Sequence, residues 1–117
     1  MNKVILITGA SSGIGKDTAL SLIKEGHIVY GAARRLEMMQ DIIQAGGHAI
    51  KMDILKERDI DEVVNQITKE QNRIDVLINN AGYGLWGAVE TISIAEAKRQ
   101  FDVNIFGLAY LTKKIIP

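Results

Sequence analysis

Val4-Ile5-Leu6-Ile7-Thr8-Gly9-Ala10-Ser11-Ser12-Gly13-Ile14-Gly15 is the stretch whose reading decides the fold. It opens with four consecutive aliphatic residues, three of them β-branched. Such a run reads as a strand buried on both faces, as parallel strands covered by helices are. The run stops at Thr8-Gly9, and small residues lead to an amphipathic stretch that starts near Gly13. Strand, glycine turn and helix in that order open a βαβ unit.

The glycines have separate physical reasons. Gly9 lets the chain turn sharply off the strand. Gly13 lacks a Cβ, so a large anionic group can approach the backbone there, and Gly15 lets the helix pack closely on the strand. Free N–H groups at a helix start carry partial positive charge and suit a pyrophosphate. The spacing, Gly-x-x-x-Gly-x-Gly, is not the common Gly-x-Gly-x-x-Gly fingerprint. A phosphate-binding P-loop fails at two positions. Ala10 stands where that motif needs its first glycine, and Asp17 stands where it needs a Ser or Thr for magnesium.

Working outward, the 117 residues suffice for one domain with a real core, residues 1–117, and apolar residues make up 47%. Fourteen basic residues balance fourteen acidic ones, so no nucleic-acid signature is present. Without cysteine there is no disulfide framework and no thiolate metal site. His27 and His48 are isolated, and each reads as a strand-entry residue rather than a metal ligand. No apolar run approaches the roughly 20 residues of a membrane span. The first strand begins almost at once, leaving no room for a signal peptide, so a cytoplasmic setting is expected.

The pattern then repeats. A first helix is expected from Gly13 to Glu25 on Ile14, Leu20, Leu22 and Ile23, closed by Gly26. A second strand covers His27–Ala33, followed by Arg34-Arg35 and a helix with Leu36, Met39, Ile42 and Ile43 inward. A third strand covers His48–Met52, with Asp53 at its end. Ile60, Val63, Val64 and Ile67 recur at helical spacing between Lys56 and Glu70. A fourth strand covers Ile74–Asn79, a loop runs from Asn80 to Gly87, and a last helix covers Ile94–Ile116 with Phe101, Leu108, Leu111 and Ile115 on one stripe. Alternation of this kind predicts an α/β, Rossmann-type, doubly wound parallel sheet with helices on both faces. Right-handed crossovers give strand order 3-2-1-4. Ligands bind at the reversal between strands one and four, where Gly9, Ala33, Asp53 and Asn79 end their strands.

Thr8-Gly9-Ala10-Ser11-Ser12-Gly13-Ile14-Gly15, together with Asn79-Asn80-Ala81-Gly82, resembles the short-chain dehydrogenase/reductase family. The resemblance runs along the whole chain but covers only the family's N-terminal half, so the fold is expected to stop after four strands. It assigns Gly9, Ser11, Ser12, Gly13, Ile14 and Gly15 to a nicotinamide dinucleotide. The acid that binds the ribose 2′-hydroxyl in NAD-dependent members matches Ala33, and Arg34 and Arg35 follow it; a guanidinium fork suits a 2′-phosphate, so NADP(H) is expected. The competing reading of Arg34-Arg35 is a solvated helix start.

Asp53 matches the family's acid beside the adenine, with Ile54 as a wall of that pocket; Asp53 as a cap for the next helix is the alternative. Asn80, Ala81 and Gly82 match the loop against the cofactor ribose. Asn104 matches the tetrad Asn whose carbonyl holds a relay water. The Ser and the Tyr-x-x-x-Lys pair of the family have no match. Tyr110 and Lys114 have the right string, yet they lie only six residues past Asn104 in the same expected helix, so they are rejected as the acid/base pair. The resemblance implies hydride transfer to or from a small-molecule carbonyl or alcohol, with no membrane or nucleic-acid partner. The chain alone is expected to be inactive. An open edge at strand four and the stripe of the last helix suggest a homo-oligomer. A non-catalytic nucleotide-binding or assembly module is the alternative function.

Overall fold

The computed structural model describes residues 2–11, 13–80 and 108–116. Strand β1 is Val4–Thr8, helix α1 Gly13–Lys24 and strand β2 Ile28–Ala33. A short 3-10 turn, Leu36–Met39, leads into helix α2, Gln40–Gln44. Strand β3 is His48–Lys51, helix α3 Glu57–Gln71, strand β4 Val76–Ile78 and helix α4 Leu108–Ile115. All strand pairs are parallel and the order is β3-β2-β1-β4, as the alternation requires.

Strand β1 feeds two cores at once because successive side chains point to opposite faces. Val4 and Leu6 join Tyr30, Met52, Ile54, Ile60, Val63, Ile67 and Leu111 beneath α3 and α4. Ile5 and Ile7 join Ala19, Val29, Met39 and Ile42 beneath α1 and α2. Leu6, Ile7, Ile42, Ile60 and Ile67 are fully buried, each contributing about 1.5–3 kcal/mol relative to exposure. Helix α3 has Glu57 and Asp59 in its first turn, where acids complement the helix dipole. It ends at Asn72, whose N–H donates to the Thr68 carbonyl at 2.8 Å and whose left-handed backbone (φ 66°) turns the chain out of the helix.

Four expectations need correction. Ile14 does not pack on the sheet but is 78% exposed; Ala19, with 0% exposure, takes the inner face of α1. Of the four residues placed inward around α2, only Met39 and Ile42 are buried, while Leu36 and Ile43 are exposed. Met39 at the end of the 3-10 turn and Ile42 in the middle of α2 reach the sheet, whereas Leu36 at the start of the turn and Ile43, one residue past Ile42, face away from it. Strand β4, Val76–Ile78, is shorter than expected: the Asp75 N–H still donates to the Val4 carbonyl at 2.9 Å, but the Val4 N–H is taken by the side chain of Asp75. Its carboxylate Oδ2 accepts the Val4 N–H at 2.8 Å, doing with a side chain what a backbone carbonyl would do in a longer strand. Asp53 does not cap α3: Lys56 holds that position, with no side-chain cap bond. Of the last helix, Leu111 is buried and Ile115 half-buried against the α3-side core; Phe101 and the side chain of Leu108 lie outside the described residues.

Candidate functional site

The site forms at the carboxyl ends of the adjacent strands β1 and β4. Gly9 and Gly13 take positive φ, 65° and 60°, and swing the chain from β1 into α1. Gly15 sits against the Gly9 carbonyl and the Asn80 side-chain amide, and a Cβ there would collide with both. A Cβ at Gly13 would meet nothing within 4 Å, so that side of the turn is open.

The turn is fastened to the end of β4. The Asn80 backbone N–H donates to the buried Thr8 hydroxyl at 2.9 Å, and its side-chain amide donates to the Gly9 carbonyl at 3.3 Å. Ala10 N–H reaches the Ala32 carbonyl at 3.4 Å, so the turn is also tied to β2. Asn79 donates from its amide to the Thr112 hydroxyl at 3.2 Å, linking the same strand end to α4. Thr8 escaped the sequence reading; a polar residue closing an apolar strand just before a glycine turn was the available signal.

Arg34 and Arg35 are exposed at the end of β2 and make no ion pair among the described residues. Asp53 is half-buried at the end of β3. Its Oδ1 accepts the Leu55 N–H at 3.0 Å, and its own N–H donates to Asp59 Oδ2 at 2.9 Å. These bonds set the turn that follows β3. Ile54 is 7% exposed, its side chain committed to the core under α3. Gly9, Ser11, Gly13, Ile14 and Gly15 thus lie together with Asn80 at the switch point, flanked by Arg34 at one strand end and Asp53 at the next. Ser12, Ala81, Gly82 and Asn104 lie outside the described residues.

Tyr110 and Lys114 are engaged elsewhere. The Tyr110 hydroxyl donates to Asp61 at 3.1 Å, Lys114 Nζ pairs with the same carboxylate at 3.3 Å, and the ammonium lies 5.8 Å from the Tyr110 ring centre. Partial desolvation and the Asp61 carboxylate both raise the Tyr110 pKa above its usual value. An acid/base tyrosine needs the opposite shift. Among the described residues no three His, Asp or Glu side chains are grouped to hold a metal, and no helix is long and apolar enough to cross a membrane.

Residues 3–117 match the family model described as short chain dehydrogenase. The chain belongs to the short-chain dehydrogenase family. A 3-ketodihydrosphingosine reductase of Bacteroides thetaiotaomicron is 41% identical over 115 residues, which is 98% of this chain and 41% of that protein. A probable short-chain type dehydrogenase/reductase of Helicobacter pylori, VdlC, is 38% identical over 96% of this chain and 41% of its own length. Among solved structures, a short-chain dehydrogenase from Streptomyces avermitilis superposes with a TM-score of 0.95 at 38% identity, covering 100% of this chain and 44% of that one. A variant of actinorhodin polyketide ketoreductase with NADPH superposes with a TM-score of 0.91 at 30% identity, over 98% of this chain and 46% of that one. The short-chain dehydrogenase match therefore spans less than half the length of these relatives.

Proposed function

We propose that the chain is the cofactor-binding part of an NADP(H)-dependent oxidoreductase that interconverts a small-molecule carbonyl and alcohol in the cytoplasm. One observation carries the reading: an open glycine turn, fastened to the β1–β4 switch point by Thr8 and Asn80, lies beside a strand end that presents two exposed arginines and no acid.

The residues present fit such a cofactor. Backbone N–H groups from Ser11 to Gly15 would face the pyrophosphate, since Gly13 leaves that side clear. Arg34 and Arg35 would hold the 2′-phosphate as charge-assisted forks. Asp53 would accept from the adenine amino group, with Ile54 lending its backbone. Asn80, Ala81 and Gly82 would border the ribose, and Asn104 would hold a relay water through its carbonyl. When bound, the nicotinamide supplies or accepts the hydride; the protein orients it and excludes competing water. The relative with NADPH at 30% identity supports the phosphate preference by analogy.

The 117 residues by themselves should not turn over a carbonyl, because the product alkoxide needs a proton donor and Tyr110 is bound to Asp61. Purified chain assayed with NADPH and reactive dicarbonyls should be silent; turnover lost in Tyr110→Phe would refute this. For the cofactor, Arg34→Asp should weaken NADPH and favour NADH. The charge-assisted contact is worth about 1.5–3 kcal/mol, which is roughly a tenfold to hundredfold change in affinity. Equal titration midpoints for the two nucleotides in the unaltered protein would overturn the NADP assignment.

A further inference from the structure

We propose that the Lys16–Asp41 ion pair tunes how strongly the nucleotide site prefers a 2′-phosphate, with Lys16 masking a carboxylate that would otherwise repel it. The inference rests on the nucleotide reading above and adds two residues that touch no part of the ligand in that reading. Lys16 lies in the first turn of α1, directly after the glycine turn, and its Nζ is 3.3 Å from Asp41 Oδ2. Asp41 is the second residue of α2, whose 3-10 lead-in starts directly after Arg34-Arg35. The pair therefore joins the two segments that would grip opposite ends of the adenosine phosphates.

Packing holds α2 close to that turn. A Cβ on Gly31 would meet Ala10 Cβ at 3.0 Å, Ile42 Cδ1 at 3.0 Å and Met39 Sδ at 3.5 Å. The turn after β1, the middle of β2 and the inner face of α2 thus meet at one point, and Asp41 adjoins Ile42. The second carboxylate oxygen, Asp41 Oδ1, is shut off from solvent and has no hydrogen-bond partner among the described residues. The Asp41 side chain as a whole is 47% exposed, so solvent screens the carboxylate in part, and Lys16 is its one ion-pair partner among the described residues. From the rise per residue of 3-10 and α-helix, Asp41 lies roughly 10 Å from the arginine corner. That is about one Debye length at 0.1 M salt, so a doubly charged phosphate still senses an uncompensated carboxylate at lower ionic strength.

The two partners then have opposite effects. Losing Lys16 bares a negative charge near the 2′-phosphate; losing Asp41 frees a positive one. Dissociation constants for NADPH and NADH, measured by fluorescence titration at about 0.02 M salt, test this on the protein and on Lys16→Met, Asp41→Asn and the double variant. Lys16→Met should weaken NADPH about threefold to tenfold and leave NADH within about twofold. Asp41→Asn should tighten NADPH by a similar factor, and the double variant should return to the starting ratio. At about 1 M salt the differences should vanish. A merely structural strut would shift both single variants the same way and both nucleotides together; that result, or no shift, overturns the proposal while NADPH binding by the unaltered protein keeps the nucleotide reading. An unaltered protein that binds neither nucleotide overturns that reading, and this one with it.

Discussion

Thr8 shows how much one buried hydroxyl does at the residue scale. It is 0% exposed and accepts the Asn80 N–H that anchors the strand after the switch point. Thr8→Val keeps the branched shape but leaves that donor unsatisfied, at a cost of about 1–3 kcal/mol in denaturant unfolding. Gly13→Ala and Gly15→Ala should both weaken the turn, for different reasons. At Gly13 there is space but a φ of 60°, so alanine costs about 1–2 kcal/mol through its backbone. At Gly15 the methyl would displace the Gly9 carbonyl or Asn80, so the larger loss, in thermal melts and in NADPH titration alike, should fall there.

Asp75 gives a pH dependence at the same scale. The Val4 N–H first, and the Arg73 guanidinium second, hold its carboxyl below the usual carboxylate range. Its folded pKa is depressed, so its stabilisation is present above the unfolded value, about 3.9, and is lost as pH falls through the lower folded value. Asp75→Asn should flatten the acid limb of a stability–pH profile; an unchanged limb would show that other carboxylates set it.

At the scale of elements, the helices divide by how local their instructions are. Helix α3 was legible because Ile60, Val63 and Ile67 repeat at helical spacing and all three are buried. The β1–turn–α1 unit was legible because glycine positions and an aliphatic run specify it within a dozen residues. The entry to α2 was not, since a 3-10 turn has a different period and hides fewer side chains. Nor was the Lys16–Asp41 pair, nor the Tyr30 hydroxyl that donates to Glu70 at 2.6 Å across 40 residues, because nothing local announces a contact made by tertiary packing. That Gly9, Asp53 and Asn79 follow the carboxyl ends of their strands was readable from the alternation, whereas the Thr8–Asn80 bond needed the fold. Helix α4 rests on Leu111, which is 0% exposed, so Leu111→Ala should cost about 2–5 kcal/mol in unfolding experiments. Tyr110→Phe loses only a half-buried bond to Asp61 and should cost less than Leu111→Ala in the same assay.

For the whole molecule, the outer strands matter most. Strands β3 and β4 bound the described sheet, and β4 carries Val76, Leu77 and Ile78, all half-buried. An apolar edge is a template for association. The isolated 117-residue chain should therefore self-associate in light scattering as concentration rises; a series that stays monomeric with a cooperative melt would show that the edge is covered within the chain.

The central position of β1 has another consequence. Its backbone is hydrogen-bonded to β2 on one side and β4 on the other, and its side chains fill both cores. Opening it requires both layers of helices to lift, which is close to unfolding the whole sheet. Strand β3, paired only with β2 among the described strands, can fray alone. Deuterium should therefore enter the backbone from the outside inwards, reaching β3 early and the amides of Ile5, Leu6 and Ile7 last, at a rate set by global unfolding. The strand that launches the glycine turn would then be the slowest clock in the protein.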